Sequence, residues 1–167
     1  MKQKIYKVLR IFSFIGLLSS YDSYSQEVKN DTVKLMETQE IALNWSSTYK
    51  EALRIAKKQK KPVLIYFTGS DWCSPCMILD RELFHTEKFK ILSDNDLVLL
   101  KADIPRRRDL IEPDKMSENL YLQKKYKVKS FPTLIMVNHR GRKIAEKKGY
   151  VITEYYYPFF QSVINKY

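Results

Sequence analysis

The sequence predicts an α/β domain with a central mixed sheet and helices on both of its faces. Two uninterrupted apolar runs of strand length, residues 63–67 and 97–100, have the composition of strands covered on both sides. Segments with helical spacing precede, separate and follow them, so strands and helices alternate along the chain. A third apolar run, residues 134–137, is followed by a turn and a polar partner strand, which adds an antiparallel hairpin. A chain of 167 residues, 44% of them hydrophobic, suits one domain with a substantial core.

The elements follow in order. Residues 26–40 are polar and aperiodic, and 26–43 are predicted to be a flexible lead-in to a domain spanning 44–167. Ser46 or Ser47 is expected to cap a helix whose apolar positions are Tyr49, Ala52, Leu53 and Ala56. Pro62 closes it and opens the first strand. The turn Thr68, Gly69, Ser70, Asp71 leads to a second helix that puts Cys76, Leu79 and Leu83 on one face. Thr86 is expected to cap a helix running to Leu92, ahead of a strand at 97–100 that ends in Lys101, Ala102 and Asp103. Residues 104–113 are charged and proline-bearing, hence a loop, and 116–126 a helix. After Phe131 and Pro132 come the strand 134–137, a turn at 138–141 and a strand at 143–147. Thr153 is expected to cap a closing helix carrying Phe159, Phe160, Val163, Ile164 and Tyr167, with Pro158 near its start.

The N-terminus reads as an export signal over residues 1–25. Lys2, Lys4, Lys7 and Arg10 form a basic leader, residues 11–18 a short apolar stretch, and Ser23 and Ser25 the small residues before a cut at Gln26. The apolar stretch is well short of the roughly 20 residues that span a bilayer. Cleavage then places the mature protein in the periplasm or outside the cytoplasm.

The first 25 residues carry those four cations against Asp22, a net +3, which leaves +8 of the full +11 on the remainder. Such an excess favours anionic surfaces. Its lysines are scattered, with Lys57, Lys58, Lys60 and Lys61 at a helix end. Arg106, Arg107 and Arg108 form the densest cluster and read as a solvated loop. No base-reading motif accompanies them, so nucleic acid is not an expected partner.

Cys73 and Cys76, within Trp72-Cys73-Ser74-Pro75-Cys76, are the chain's 2 cysteines. A closed zinc site needs four ligands, and His85 and His139 lack the spacing to supply the other two. Redox exchange remains. Cysteines spaced i, i+3 at a helix start lie within disulfide range. The outer Cys73 meets the positive end of the helix, which favours its thiolate, while Cys76 one turn inward is desolvated and kept protonated. Cys73 is therefore the expected nucleophile and Cys76 the resolving thiol. Pro75 falls in the first turn, where no amide donor is missed.

The order of these features, from a strand through Thr68 to Cys76 and a helix to a distant Ser130-Phe131-Pro132-Thr133 before an apolar strand, resembles the thioredoxin superfamily over residues 44–166. Within it the chain is most similar to exported thioredoxin-like proteins and to the soluble thiol domain of DsbD-type transmembrane reductases. The resemblance implies a thioredoxin-like fold and a cis Pro132 facing the cysteines. It also implies a substrate groove lined by Trp72, Pro75, Phe131, Pro132 and Gly149. The implied activity is thiol–disulfide exchange, reducing protein disulfides, with no cofactor or metal. A monomer is expected, with protein disulfides or dithiols as substrates; an oxidising compartment would leave it spent after each turnover, so a membrane electron relay is the expected reductant. Two departures stand out. Ser74-Pro75 replaces the family's Gly-Pro, and Tyr66 and Phe67 occupy the region of a buried aspartate; Lys101 falls near a family lysine. The alternatives are a disulfide oxidase or isomerase, and a copper-handling protein using His85 or His139 as third ligand.

Overall fold

The computed structural model describes residues 41–167. The predicted signal segment, its cleavage point and nearly all of the lead-in lie outside the described residues.

Strand β1 (Val63–Thr68) is buried at every position and lies second in a four-stranded sheet of order β2-β1-β3-β4. It runs parallel to β2 (Val98–Asp103), with Val63 opposite Val98, and antiparallel to β3 (Thr133–Val137), with Val63 opposite Val137. The edge strand β4 (Lys143–Lys148) pairs antiparallel with β3. The expected mixed sheet is thus present.

Alternate residues of β1 point to opposite faces and seed two cores. Val63, Ile65 and Phe67 pack against Ala52 and Ala56 of helix α1 (Tyr49–Gln59) and, on α4 (Pro113–Tyr126), Leu122 and Tyr126. Leu64 and Tyr66 face the other way. They meet Leu79 of helix α2 (Ser74–Leu79), Phe89 of α3 (Glu87–Asp96), and Tyr156 and Phe160 of α5 (Tyr156–Ile164). Helices on both faces follow from this alternation, because each face of so apolar a strand must be covered.

Several boundaries differ from expectation. Helix α1 is capped by Thr48, whose hydroxyl accepts the Glu51 amide at 3.1 Å, rather than by Ser46 or Ser47. Ser47 instead donates through both its amide and its hydroxyl to the Glu51 carboxylate, a reciprocal lock on the helix start. Helix α2 passes directly into a π-helical turn over Asp80–Phe84, which brings the adjacent Leu83 and Phe84 both into the core. Helix α3 continues past Leu92 to Asp96, supported by a 2.6 Å Lys90–Asp94 pair one turn apart. Helix α4 begins at Pro113, three residues before the expected start, because proline suits the first helical turn. Thr153 opens a 3₁₀ turn rather than capping α5, which starts at Tyr156 with Pro158 in its first turn. Tyr167 lies beyond the helix, 40% exposed, and its hydroxyl accepts the His139 amide. Among the described residues, no helix is long and apolar enough to cross a membrane.

Candidate active site

The site is assembled where β1 ends. The Gly69 carbonyl accepts the amides of Trp72 and Cys73 at 3.2 and 2.9 Å, coiling the chain into a tight turn before the first cysteine. A glycine is required there, since a Cβ would run into the Trp72 indole. Cys73 occupies the N-cap of α2, its carbonyl accepting the amides of Cys76 and Met77. Pro75 sits in the first turn, as expected. The two sulfurs form a disulfide with Cα atoms 5.2 Å apart.

The predicted contrast in exposure is narrow. Cys73 is 4% and Cys76 1% accessible in this oxidised form, and both belong to the core cluster on this face of the sheet. What separates them is the backbone: Cys73 is at the mouth of the helix, Cys76 one turn inside it. Beneath Cys76, the buried Tyr66 phenol donates to its carbonyl at 3.1 Å. Burial pushes the Tyr66 phenol well above its ordinary value, so it remains a donor throughout the physiological range. Asp80, one turn after Cys76, faces Lys101 of β2 at 3.6 Å and His85 at 3.8 Å. Asp80 belongs to no motif in the sequence; its spacing of four from Cys76 is the one local signal that places it beside the site.

A second turn faces the motif. The Phe131–Pro132 peptide is cis, as the resemblance implied. Phe131 meets the Trp72 ring edge-on with centroids 5.3 Å apart, so the two turns touch. The Pro132 carbonyl accepts the Gly149 amide at 2.8 Å, and Gly149 adopts φ +70°, a conformation that favours glycine. The Tyr156 hydroxyl donates to the Gly149 carbonyl at 3.0 Å, and Tyr150 reaches Glu82 at 2.6 Å. Trp72, Phe131 and Gly149 are thereby held around the disulfide end of the sheet.

The arginine segment is also here. Asp71, just before Trp72, accepts the amides of Arg107 and Arg106 at 2.9 and 3.0 Å. These contacts, the Arg107 amide foremost, hold its carboxyl below the usual carboxylate range. The cluster is a solvated loop, as expected, with its side chains exposed and its backbone fastened to the motif through Asp71.

The histidines do not join the cysteines. His85 ends the π turn beside Asp80, and His139 lies in the β3–β4 turn, at the opposite end of β3 from Pro132. Among the described residues, no three His, Cys, Asp or Glu side chains converge as a metal site.

A Cys-x-x-Cys disulfide at a helix start, facing a cis-proline turn on a mixed sheet, defines a thioredoxin-like thiol–disulfide oxidoreductase. Residues 49–163 match the thioredoxin-like domain family, and the chain belongs to it. It is 33% identical over 114 residues to the disulfide bond reductase DsbH of Chlamydia pneumoniae, covering 66% of this chain and 68% of that protein. It is 31% identical over 100 residues to the thioredoxin-related protein DsbJ of the same organism, covering 60% of this chain but 28% of DsbJ. A solved DsbH oxidoreductase superposes with a TM-score of 0.68 at 27% identity, over 75% of this chain and 87% of the other. A thioredoxin from Thermus thermophilus shares the fold, with a TM-score of 0.58 at 19% identity over 74% of this chain and 88% of the other.

Proposed function

We propose that this chain is an exported, monomeric reductase of protein disulfides, with Cys73 as nucleophile and Cys76 as resolving thiol. The observation that carries the reading is the placement of Cys73 at the N-cap of α2 with Cys76 buried one turn behind it. At the N-cap, unpaired amides and the positive helix end stabilise a Cys73 thiolate once the bridge is reduced. In the apolar interior, Cys76 is stabilised as a neutral thiol until it is needed.

The cycle balances as two exchanges. The Cys73 thiolate attacks one sulfur of the substrate disulfide; that S–S bond breaks, and the departing substrate thiolate takes a proton. Cys76 then loses its proton and attacks the Cys73 sulfur, releasing the second substrate thiol. Two electrons pass to the substrate, and the protein is left with the Cys73–Cys76 bridge present in this structure. A dithiol donor must reopen that bridge, and outside the cytoplasm a membrane electron relay is the fitting class. The proposed groove is lined by Trp72, Pro75, Phe131, Pro132 and Gly149, where an extended substrate pairs with the backbone of Phe131.

Reduction is favoured over oxidation because Pro75 precedes the resolving cysteine, as in family reductants, and because DsbH carries the name of a reductase. Export rests on the N-terminal leader. Equilibrating the protein with glutathione measures the decisive quantity. A potential near about −270 mV is expected, and one near about −120 mV reassigns the protein as an oxidase. Sequencing the N-terminus of the exported protein is expected to begin at Gln26; an intact Met1 there would overturn cleavage.

A further inference from the structure

The segment after β2 is built into the wall of the disulfide site. The Ile104 amide donates to the Thr68 carbonyl at 2.9 Å, and the Trp72 indole donates to the Ile104 carbonyl at 2.9 Å. The Ser70 amide donates to Asp103, and Asp71 accepts two further amides, from Arg106 and Arg107. Pro105 is buried among these contacts. Each bond joins the segment to the turn that immediately precedes Cys73, so the Arg106 and Arg107 side chains start from fixed backbone positions.

Three carboxylates of this wall already have partners. Asp71 and Asp103 accept backbone amides, and Asp109 pairs with Arg107 at 2.7 Å. Arg106 lies over the Trp72 ring at 5.1 Å, with Asp71 facing it at longer range. Among the described residues, neither Arg106 nor Arg108 forms an ion pair. Across the Trp72–Phe131 contact, Lys129 is exposed two residues before Phe131 and likewise forms no ion pair among the described residues. The Tyr150 side of the site differs: it carries Glu82 and the exposed Ile152.

We infer that Arg106, held over the Trp72 indole beside the disulfide, selects protein substrates carrying an aspartate or glutamate beside the reacting cysteine. This rests on the disulfide-exchange reading above. An arginine fork held over the indole offers planar donors to a carboxylate arriving on the Trp72 side. Its contribution acts on encounter and orientation, so it depends on salt.

The test uses the reduced full chain and three synthetic peptides with one identical disulfide, flanked by Glu, Gln or Lys. Single-turnover reduction gives a rate for each. At about 20 mM salt the Glu peptide is expected to react about fivefold faster than the Gln peptide, a ratio approaching one at about 500 mM. Arg106→Gln removes the preference, and Arg106→Glu shifts it to the Lys peptide. Lys57→Gln with Lys60→Gln, beside His139 at the far end of the sheet, leaves the ratio unchanged. Equal Glu and Gln rates in the unaltered protein, or a preference that survives charge reversal, overturn the inference. Failure to reduce any peptide at either salt sinks the exchange reading itself, and the inference with it.

Discussion

The phenol of Tyr66 donates to the main-chain carbonyl of Cys76 across 3.1 Å, so the central strand grips the first turn of the redox helix from below. The same carbonyl accepts the Asp80 amide, the helix's own bond, so it keeps one partner when the phenol is removed. Tyr66→Phe keeps the ring against Phe84 and Trp45 and deletes only the hydroxyl. The expected cost is about 1 kcal/mol, read as a lower midpoint in urea denaturation at unchanged slope. Unchanged or raised stability would show that the bond contributes nothing.

On the proposed division of labour, the two cysteines fail differently. Cys73→Ser removes the attacking sulfur and is expected to abolish reduction of an insulin-type disulfide. Cys76→Ser leaves attack intact and removes resolution, so mixed disulfides with substrate accumulate and appear as a mass increase reversed by dithiothreitol. Should Cys76→Ser turn over normally while Cys73→Ser accumulates adducts, the roles are reversed.

Gly69→Ala tests why the turn before the motif takes the shape it does. Any Cβ at this position meets the indole of Trp72, which is itself fixed between Phe131 and the Ile104 carbonyl. Trp72 must move or the turn must open, and overpacking of this kind costs about 1–3 kcal/mol. Thermal unfolding is expected to shift down together with a change in tryptophan emission. A neutral substitution would mean that the indole relaxes freely and does not position the segment at 104–110.

Much of this architecture is legible in the sequence, for physical reasons that also mark where legibility stops. Strand β1 stands out because burial on both faces leaves no polar position between Val63 and Phe67. The redox pair is legible because its spacing and its place at a helix start are both local. The cap of α1 is not, since Ser46, Ser47 and Thr48 have equivalent hydroxyls and only the reach of Glu51 distinguishes them. A π turn at Asp80–Phe84 escapes a search for 3.6-residue periodicity. Tyr66 reads simply as core, because an apolar pattern does not show where its hydroxyl ends. The arginine cluster is least legible of all: its anchor, Asp71, lies 35 residues before Arg106, and nothing local to either residue signals the pairing.

Asp71 makes the placement of that cluster dependent on pH. Its carboxyl is depressed in the folded protein, chiefly by the Arg107 amide, so between the folded and ordinary values the unfolded chain binds more protons. The stabilisation is therefore present above the ordinary aspartate value of about 3.9 and lost as pH falls through the lower folded value. The 104–110 segment is expected to loosen there ahead of the sheet. Hydrogen-exchange protection at the Arg106 and Arg107 amides, corrected for intrinsic rates, measures this directly. Protection is expected to drop as pH is lowered from about pH 6 through the folded carboxyl value, below the ordinary one, while the β1 amides stay protected. Asp71→Asn, whose side chain has no negative charge to offer both amides, is expected to show low protection at those two positions already at about pH 6. Protection that persists together with that of the β1 amides until the sheet itself unfolds would mean that the Trp72–Ile104 bond holds the segment without the carboxylate.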